Sequence, residues 1–153
     1  LMTPHTLLVD AKEEKISSEK AKKFILSEEN GAESIFIGRV RNENSGKKVK
    51  AVTYDAHDNA VLKSFKTICD DAKSKFDKNA KVFLEHAKGY VPVGEISILI
   101  AVGSGHRDEA FKICRYILEE IKHQSPIWKK EHYAEGKQEW LPGHSLRPKE
   151  EVK

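Results

Sequence analysis

Hydrophobic residues recur in this chain at two spacings, which together predict a mixture of β-strands and α-helices. Five short runs rich in β-branched and aromatic residues are typical of strands: residues 6–10, 34–41, 49–55, 81–87 and 95–102. Three longer stretches carry apolar residues at helical spacing: residues 18–26, 58–76 and 106–125. The sequence therefore predicts an α+β fold with a mixed sheet and about three helices. We expect a single domain over residues 1–153, with its core in residues 6–133 and a peripheral tail at 134–153.

Local signals predict where several of these elements begin and end. Ser17 is a good amino-terminal cap for the first helix, and Gly31 is expected to end that region in a left-handed turn. Glycine and proline punctuate residues 89–94, which predicts a turn. The most apolar run, residues 95–102, is expected to be a central strand.

The third predicted helix carries a lysine at the edge of its buried face. The apolar stripe consists of Ala110, Cys114, Ile117 and Ile121, flanked by Phe111 and Leu118. Lys122 lies about 20° from Phe111 on the helical wheel, and hence at the rim of that stripe. Burial and like charges at such a place could make a lysine available as a base or nucleophile. A lysine that only lays its methylene groups over apolar surface is the more common explanation.

Arginines at a strand end predict a candidate anion site. Period-two alternation places Arg39 and Arg41 on one face about 7 Å apart, so that their guanidinium groups could flank one anion. Two exposed strand-end arginines are the alternative explanation. The glycine-containing turn before His106 also exposes backbone amides at a helix start, where anions bind favourably. If the two regions are adjacent, the following residues could converge on a small polyanion: Arg39, Arg41, His106, Arg107, Lys122, Lys129 and Lys130.

Composition limits the classes of function that remain. The net charge is only +3, from 27 Lys and Arg against 24 Asp and Glu, so bulk charge does not indicate a general nucleic-acid-binding surface. Phosphate-loop and dinucleotide-binding glycine patterns are absent from the sequence, and no histidine pair has metal-ligand spacing. The two cysteines fall on apolar helix faces, which favours a reduced, intracellular chain. With no apolar run of membrane-spanning length and no export signal, we expect a cytoplasmic protein without membrane, nucleic-acid or metal partners.

Several motifs in register resemble one known family. The segment Phe36-Ile37-Gly38-Arg39-Val40-Arg41-Asn42 fits the first seven positions of the pattern F-x-G-x-V-R-x-x-N. Together with His106-Arg107, Lys122 and Pro126-Ile127-Trp128-Lys129-Lys130-Glu131, it resembles the large, catalytic subunit of molybdopterin synthase. The resemblance spans residues 31–140. It departs from the family at Tyr54-Asp55-Ala56-His57, where Y-E-A-Y is usual, so His57 could alter local packing.

The resemblance implies a fold, a reaction and partners. The fold would be an α/β-hammerhead, with two large subunits forming a dimer and one small subunit at each end. Sulfur would come from a thiocarboxylate on the carboxy-terminal Gly-Gly of a small ubiquitin-like subunit. The acceptor would be cyclic pyranopterin monophosphate, which becomes the dithiolene of molybdopterin, and no cofactor or metal would be needed. The implied catalytic residues are Lys122 and Lys129, and the implied substrate-binding residues are Arg39, Val40, Arg41, His106, Arg107, Lys130 and Glu131.

Two other functions remain open at this point. A small nucleic-acid-binding domain would use the same arginines on phosphates, but the sequence lacks a stacking aromatic motif. A non-catalytic scaffold for a ubiquitin-like protein would keep Ile127 and Trp128 as anchors but would have no use for Lys122. The resemblance favours the sulfurtransferase over both.

Overall fold

The computed structural model of the chain describes residues 2–135 and 138–140 as three helices and eight strands. The helices are α1 (Ser18–Ile25), α2 (Asp58–Phe76) and α3 (Arg107–Gln124). The strands are β1 (His5–Asp10), β2 (Ala32–Arg39), β3 (Glu43–Asn44), β4 (Lys47–Ala56), β5 (Lys81–Pro92), β6 (Ile96–Ser104), β7 (Ile127–Tyr133) and β8 (Gln138–Trp140). The predicted α+β class, with a mixed sheet and about three helices, is confirmed in these residues.

The sheet is organised around β5, because this strand pairs with three others. Its first part pairs antiparallel with β6, while β1 runs parallel along its other edge. Its last residues pair antiparallel with β4. The change of partner occurs beside Gly89, whose φ of 97° is a conformation that glycine adopts without steric cost. The predicted turn over residues 89–94 is therefore wrong as far as Pro92, and only residues 93–94 form the turn.

Strand order places β2 at one edge of the sheet and the site described below near the other. The order is β2-β6-β5-β4-β7-β8, with β3 paired only to β4. As predicted, the apolar strand β6 lies in the interior, between β2 and β5. Within the described residues, β2 pairs with β6 alone, so its outer edge offers unpaired backbone groups.

The first helix begins as predicted but ends differently. The Ser17 side chain accepts a hydrogen bond from the backbone amide of Lys20 at 3.4 Å, which confirms the cap. The helix stops at Ile25, and Gly31 does not adopt a left-handed conformation. A Cβ atom at Gly31 would lie 2.9 Å from the carbonyl oxygen of Gly105, so this glycine permits a close approach of two chain segments.

The two longer helices pack against each other and onto the sheet. Helix α2 spans the predicted residues, and α3 buries five residues: Ala110, Ile113, Cys114, Ile117 and Ile121. Phe111 is 63% exposed, so its predicted place beside the core is wrong. It lies about 100° around the helix from Ala110, beyond the arc that touches the sheet. The unpaired thiols of Cys69 and Cys114 are buried, and burial raises the pKa of Cys69 to about 12.

The strand β7 was not predicted, because it carries two consecutive lysines, a glutamate and a histidine instead of an alternation of apolar and polar residues. It pairs with β4 on one side and with the short strand β8 on the other. The predicted tail thus contributes one strand, and its residues 136–137 and 141–153 lie outside the described part of the chain. Of the helices in that described part, none is both long and apolar enough to cross a bilayer.

Candidate active site

Alternation along β7 places a lysine, a glutamate and a tyrosine on one side of the sheet. Lys129, Glu131 and Tyr133 are two residues apart and therefore share a face, with neighbouring positions about 7 Å from each other. Lys130 and His132 point to the opposite face. Lys129 is half-buried and lies opposite Tyr54 of β4 in the register of the two strands. The backbone of β7 thus presents one sheltered ammonium group.

Three positive charges from separate parts of the chain meet at Lys129. Burial is the main cause that lowers the pKa of Lys129, and the charges of Lys122 and Arg41 lower it further. The carboxylate of Glu131 acts in the opposite direction and raises that pKa. Lys122 comes from the last turn of α3, and Arg41 from the loop after β2. These four groups form the lysine cluster: Arg41, Lys122, Lys129 and Glu131.

Glu131 is held in place by donors from two elements. Its side chain is buried, with 5% of its surface exposed. Its Oε1 atom accepts a hydrogen bond from Asn44 Nδ2 at 2.8 Å and another from the Tyr133 hydroxyl at 2.9 Å. Two directed hydrogen bonds to one carboxylate oxygen restrict where the negative charge can lie relative to Lys129.

A buried histidine and a buried tyrosine lie beneath the lysine cluster. The His86 ring packs edge-on against Tyr54 with 5.0 Å between centroids, and its Nδ1 donates to the carbonyl oxygen of Ala87 at 2.8 Å. Burial lowers the pKa of His86 to about 4, and Lys129 contributes to the lowering. Burial likewise raises the pKa of Tyr54. Both side chains are therefore neutral near pH 7, and they add no charge next to Lys129.

Arg39 and Val40 are placed differently from Arg41. An irregularity in the β2–β6 pairing between Gly38 and Arg39 interrupts the alternation from which a shared face was predicted. The Arg39 guanidinium donates to the carbonyl oxygen of Gly94 at 2.7 Å and lines a separate cavity of about 230 Å³. The Val40 side chain is buried, and its backbone amide and carbonyl are bonded to Glu95 and Gly94. A shared role of Arg39, Val40 and Arg41 in substrate binding remains a prediction.

The structure places His106 and Arg107 far from Lys122 in the same chain. His106 caps the start of α3 and Arg107 is its first residue, whereas Lys122 is in its last turn. Lys122 is fifteen positions along the helix from Arg107, which corresponds to about 22 Å along the axis. Both amino-terminal residues are exposed. One chain alone therefore does not form the seven-residue cluster that the sequence suggested.

Lys130 and His57 lie next to aromatic rings. The Lys130 ammonium is 5.0 Å from the centre of the Trp140 ring, on the face of β7 opposite to Lys129. The His57 ring packs edge-on against Trp128, with 5.2 Å between centroids. The departure from Y-E-A-Y at His57 thus places an imidazole ring against Trp128 of β7, the strand that carries Lys129 and Glu131.

Sequence reasoning assigned no role to the polar residues that support the cluster. Asn44, Tyr133, Tyr54 and His86 surround Lys129 and Glu131 without any spacing that marks them as a group in the sequence. Asn44 is the last residue of the pattern F-x-G-x-V-R-x-x-N, which is the one signal that could have identified it. In the described residues, no group of three metal-binding side chains is present.

Sequence comparison identifies relatives over most of the chain. The family described as MoaE protein matches residues 11–124. The molybdopterin synthase catalytic subunit of Synechococcus elongatus is 39% identical over 126 residues, covering 82% of this chain and 76% of that protein. The subunit of the same name from Nostoc sp. is 41% identical over 112 residues, or 73% of this chain and 68% of that protein.

Comparison with solved structures agrees with these relatives. A molybdopterin synthase structure from Staphylococcus aureus superposes with a TM-score of 0.80 at 32% identity, covering 90% of this chain and 96% of that one. A chain from the complex of subunits 1 and 2 of the molybdopterin-converting factor of Helicobacter pylori gives a TM-score of 0.72 at 19% identity, covering 94% and 93%. The second likeness is one of fold alone.

Proposed function

This chain belongs to the MoaE protein family, and on that premise we propose that its lysine cluster carries out sulfur transfer in molybdopterin synthesis. The chain acts as the catalytic subunit, and its sulfur donor is a small partner subunit that ends in a Gly-Gly thiocarboxylate. Its acceptor is cyclic pyranopterin monophosphate. The observation that supports the location most strongly is the half-buried Lys129, whose pKa is lowered by burial and by Lys122 and Arg41.

The charge of the site is complementary to both reactants. A thiocarboxylate and a phosphate monoester are anions, and three cationic groups of the lysine cluster converge from α3, β7 and the loop after β2. Partial burial of Lys122 and Lys129 strengthens their interactions, because water screens them less. Holding both reactants together also removes the entropic cost of their encounter.

The two lysines have different surroundings and, in this proposal, different roles. Lys122 is the acid/base group, or the group that contacts the acyl carbon of the tail. Lys129, which the fixed Glu131 carboxylate favours as an ammonium, stabilises the negative charge that develops during transfer. In each transfer, a pterin side-chain carbon forms a bond to the sulfur of the tail and loses the oxygen substituent that the sulfur replaces. The carbonyl carbon of the tail loses that sulfur and gains an oxygen from water, so the tail leaves as a carboxylate.

A second copy of the chain completes the site. The start of β2 pairs with Ser104, close to His106, whereas its end leads to Arg41. If two β2 edges pair antiparallel about a twofold axis, the start of one strand lies beside the end of the other. His106 and Arg107 of the second copy then lie next to the first copy's lysine cluster.

The exposed side chains of β2 fit this arrangement. Phe36 and Ile37 are each 36% exposed on this edge strand, and Phe111 is exposed on the neighbouring helix α3. Burying such side chains between two copies is favourable, by about 25 cal/mol for each Å² of apolar surface. The second copy's His106 and Arg107 would bind the phosphate of the substrate.

The alternative of a non-catalytic scaffold is not favoured. A surface that only binds a ubiquitin-like protein requires no half-buried lysine and no carboxylate fixed by two hydrogen bonds. The lysine cluster has both, and its construction costs stability because charged groups are partly removed from water.

Replacing Lys122 tests the proposal. We expect Lys122→Ala to reduce product formation from thiocarboxylated partner and cyclic pyranopterin monophosphate by at least about a hundredfold, because an acid/base or acyl-contacting group is lost. Lys122 is half-buried at the rim, so the circular dichroism spectrum and melting temperature should stay close to those of the parent chain. The exposed Lys66 on α2 supplies a control, and Lys66→Ala should be fully active. Turnover by Lys122→Ala equal to that of the control would refute the assignment.

A further inference from the structure

The hairpin formed by β3 and β4 holds one side chain against the lysine cluster from outside β7. Glu43 and Asn44 pair with Lys48 and Lys47 across a two-residue turn. Both turn residues, Ser45 and Gly46, have positive φ angles of 51° and 79°, as a tight hairpin turn requires. The turn fixes the register of the hairpin, and the register fixes the position from which Asn44 reaches β7.

Asn44 makes a long-range hydrogen bond that no local structure requires. Its Nδ2 donates to Glu131 Oε1 at 2.8 Å, across 87 positions of sequence. Asn42, two residues earlier, is exposed, and its backbone carbonyl accepts a hydrogen bond from the amide of Val49. The backbone of Asn42 therefore stabilises the hairpin, whereas the side chain of Asn44 binds the carboxylate of Glu131.

We propose that Asn44 is a positioning residue for sulfur transfer, which acts on Lys129 by fixing the carboxylate of Glu131. The proposal rests on the function proposed above for the lysine cluster. Asn44 has no reacting atom of its own in this account. Its contribution is to hold the counter-charge of Lys129 at one place while the anionic reactants bind.

The surroundings of Glu131 explain why a second donor matters. The Tyr133 hydroxyl approaches the same oxygen from within β7, so it moves with Glu131 and cannot fix that strand relative to the hairpin. Asn44 comes from a different element and ties the two together. A carboxylate that is 95% buried loses much of its solvation, and removing one partner leaves it free to turn away from Lys129.

Other charged and titratable groups also face Lys129. The variants of Asn44 described below leave these groups unchanged. They are Glu131 on the same strand, Lys122 from α3, Arg41 from the loop after β2, Tyr54 from β4 and His86 from β5. A change confined to Asn44 leaves all five in the chain. Any shift in the pH dependence of turnover then reports the position of the Glu131 charge.

The test compares Asn44→Ala with Asn42→Ala in steady-state sulfur transfer, with the thiocarboxylated partner in excess. We expect Asn44→Ala to lower kcat by about ten- to a hundredfold, the loss typical of one hydrogen bond to a charged group, with KM for the pterin nearly unchanged. Asn42→Ala should behave as the parent chain. Equal kcat values for Asn44→Ala and Asn42→Ala would overturn the proposal.

The pH profile distinguishes positioning from a loss of folding. If Lys129 acts as an ammonium, activity falls as the pH rises through its pKa. Displacing the Glu131 carboxylate lowers that pKa, so the alkaline limb of Asn44→Ala should move to lower pH. The near-isosteric Asn44→Leu keeps the side-chain volume but has no donor for Glu131, so its alkaline limb should move to lower pH as well.

The remaining outcomes are also decisive. A lower melting temperature with an unmoved alkaline limb in both variants would mean that Asn44 has only a structural role, and would overturn the proposal. If Asn44→Ala does not fold, the alkaline limb of the pH profile of Asn44→Leu decides alone. Full activity of Lys122→Ala and Lys129→Ala would instead refute the proposed function, and this result is separate from any effect of Asn44.

Discussion

The two ends of α3 carry basic residues that lie in different environments. At the carboxy-terminal end, Lys122 lies near the half-buried Lys129, whose counter-charge Glu131 is fixed by hydrogen bonds. At the amino-terminal end, His106 and Arg107 are exposed. Only the first region is organised within one chain.

This difference indicates a division of labour between the two ends. A group that takes part in bond making benefits from a fixed, partly desolvated position before the substrate arrives. A group that holds a phosphate can be supplied by another copy, because its guanidinium fork forms strong hydrogen bonds wherever the anion is presented. The exposure of Arg107 is thus compatible with a binding role in an assembly.

Replacing each of the two lysines of β7 is the strongest test of whether a sheltered position determines the role of a basic residue. We expect Lys129→Ala to lower kcat by about a thousandfold, because the transition state loses a positioned charge in a partly buried site. Lys130→Ala should lower it far less, since its ammonium lies over Trp140 on the opposite face. Steady-state assays at saturating substrate, with the thiocarboxylated partner in excess, measure kcat for both variants. Equal losses of kcat in Lys129→Ala and Lys130→Ala would show that burial on one face of β7 does not determine the role of a lysine.

A smaller effect is expected in the pH dependence of stability. The folded chain keeps His86 neutral down to a pKa of about 4, whereas in the unfolded chain it binds a proton near pH 6.5. Its contribution is therefore complete above pH 6.5 and is lost as the pH falls towards 4. From pH 7 to pH 5 this loss amounts to about 2 kcal/mol of the free energy of unfolding.

The variant His86→Gln isolates that contribution. Urea unfolding of the parent chain and of His86→Gln at pH 7, 6 and 5 should show a steeper loss of stability in the parent chain. Other groups titrate in both proteins, so the difference between the two curves reports His86 alone. Parallel curves would contradict a neutral, buried His86 beneath the lysine cluster.

Much of the fold follows from local sequence patterns. Helix α2 spans the predicted residues, and Ser17 caps α1 as expected, because apolar periodicity and capping act over a few residues. Strand β5 extends beyond its prediction because Gly89 permits a conformation that continues the strand towards a new partner. Strand β7 escaped prediction because its buried face carries charged and polar side chains instead of apolar ones.

The candidate site was less predictable than the fold. Lys122, Lys129, Arg41 and Glu131 were named from the sequence, and the structure brings these four together. Their contact depends on the pairing of β7 with β4 and on where α3 ends, and both are long-range features. The contribution of Asn44 depends on a hydrogen bond across 87 positions, which no local pattern encodes. The helix predicted over residues 106–125 already placed His106 and Arg107 at the opposite end from Lys122, and the structure confirms that separation.

In the proposed assembly, one site uses the lysine cluster of one copy together with His106 and Arg107 of another. A mixing experiment tests this sharing of the site directly. Lys122→Ala and Arg107→Ala chains are assayed separately, with substrate near the KM of the parent chain, and then after being refolded together with the small partner subunit. Random pairing would make about half of the assemblies mixed, each with one intact site, so we predict recovery of roughly a quarter of the parent activity. Activity no greater than the average of the two separate variants would contradict a site shared between copies.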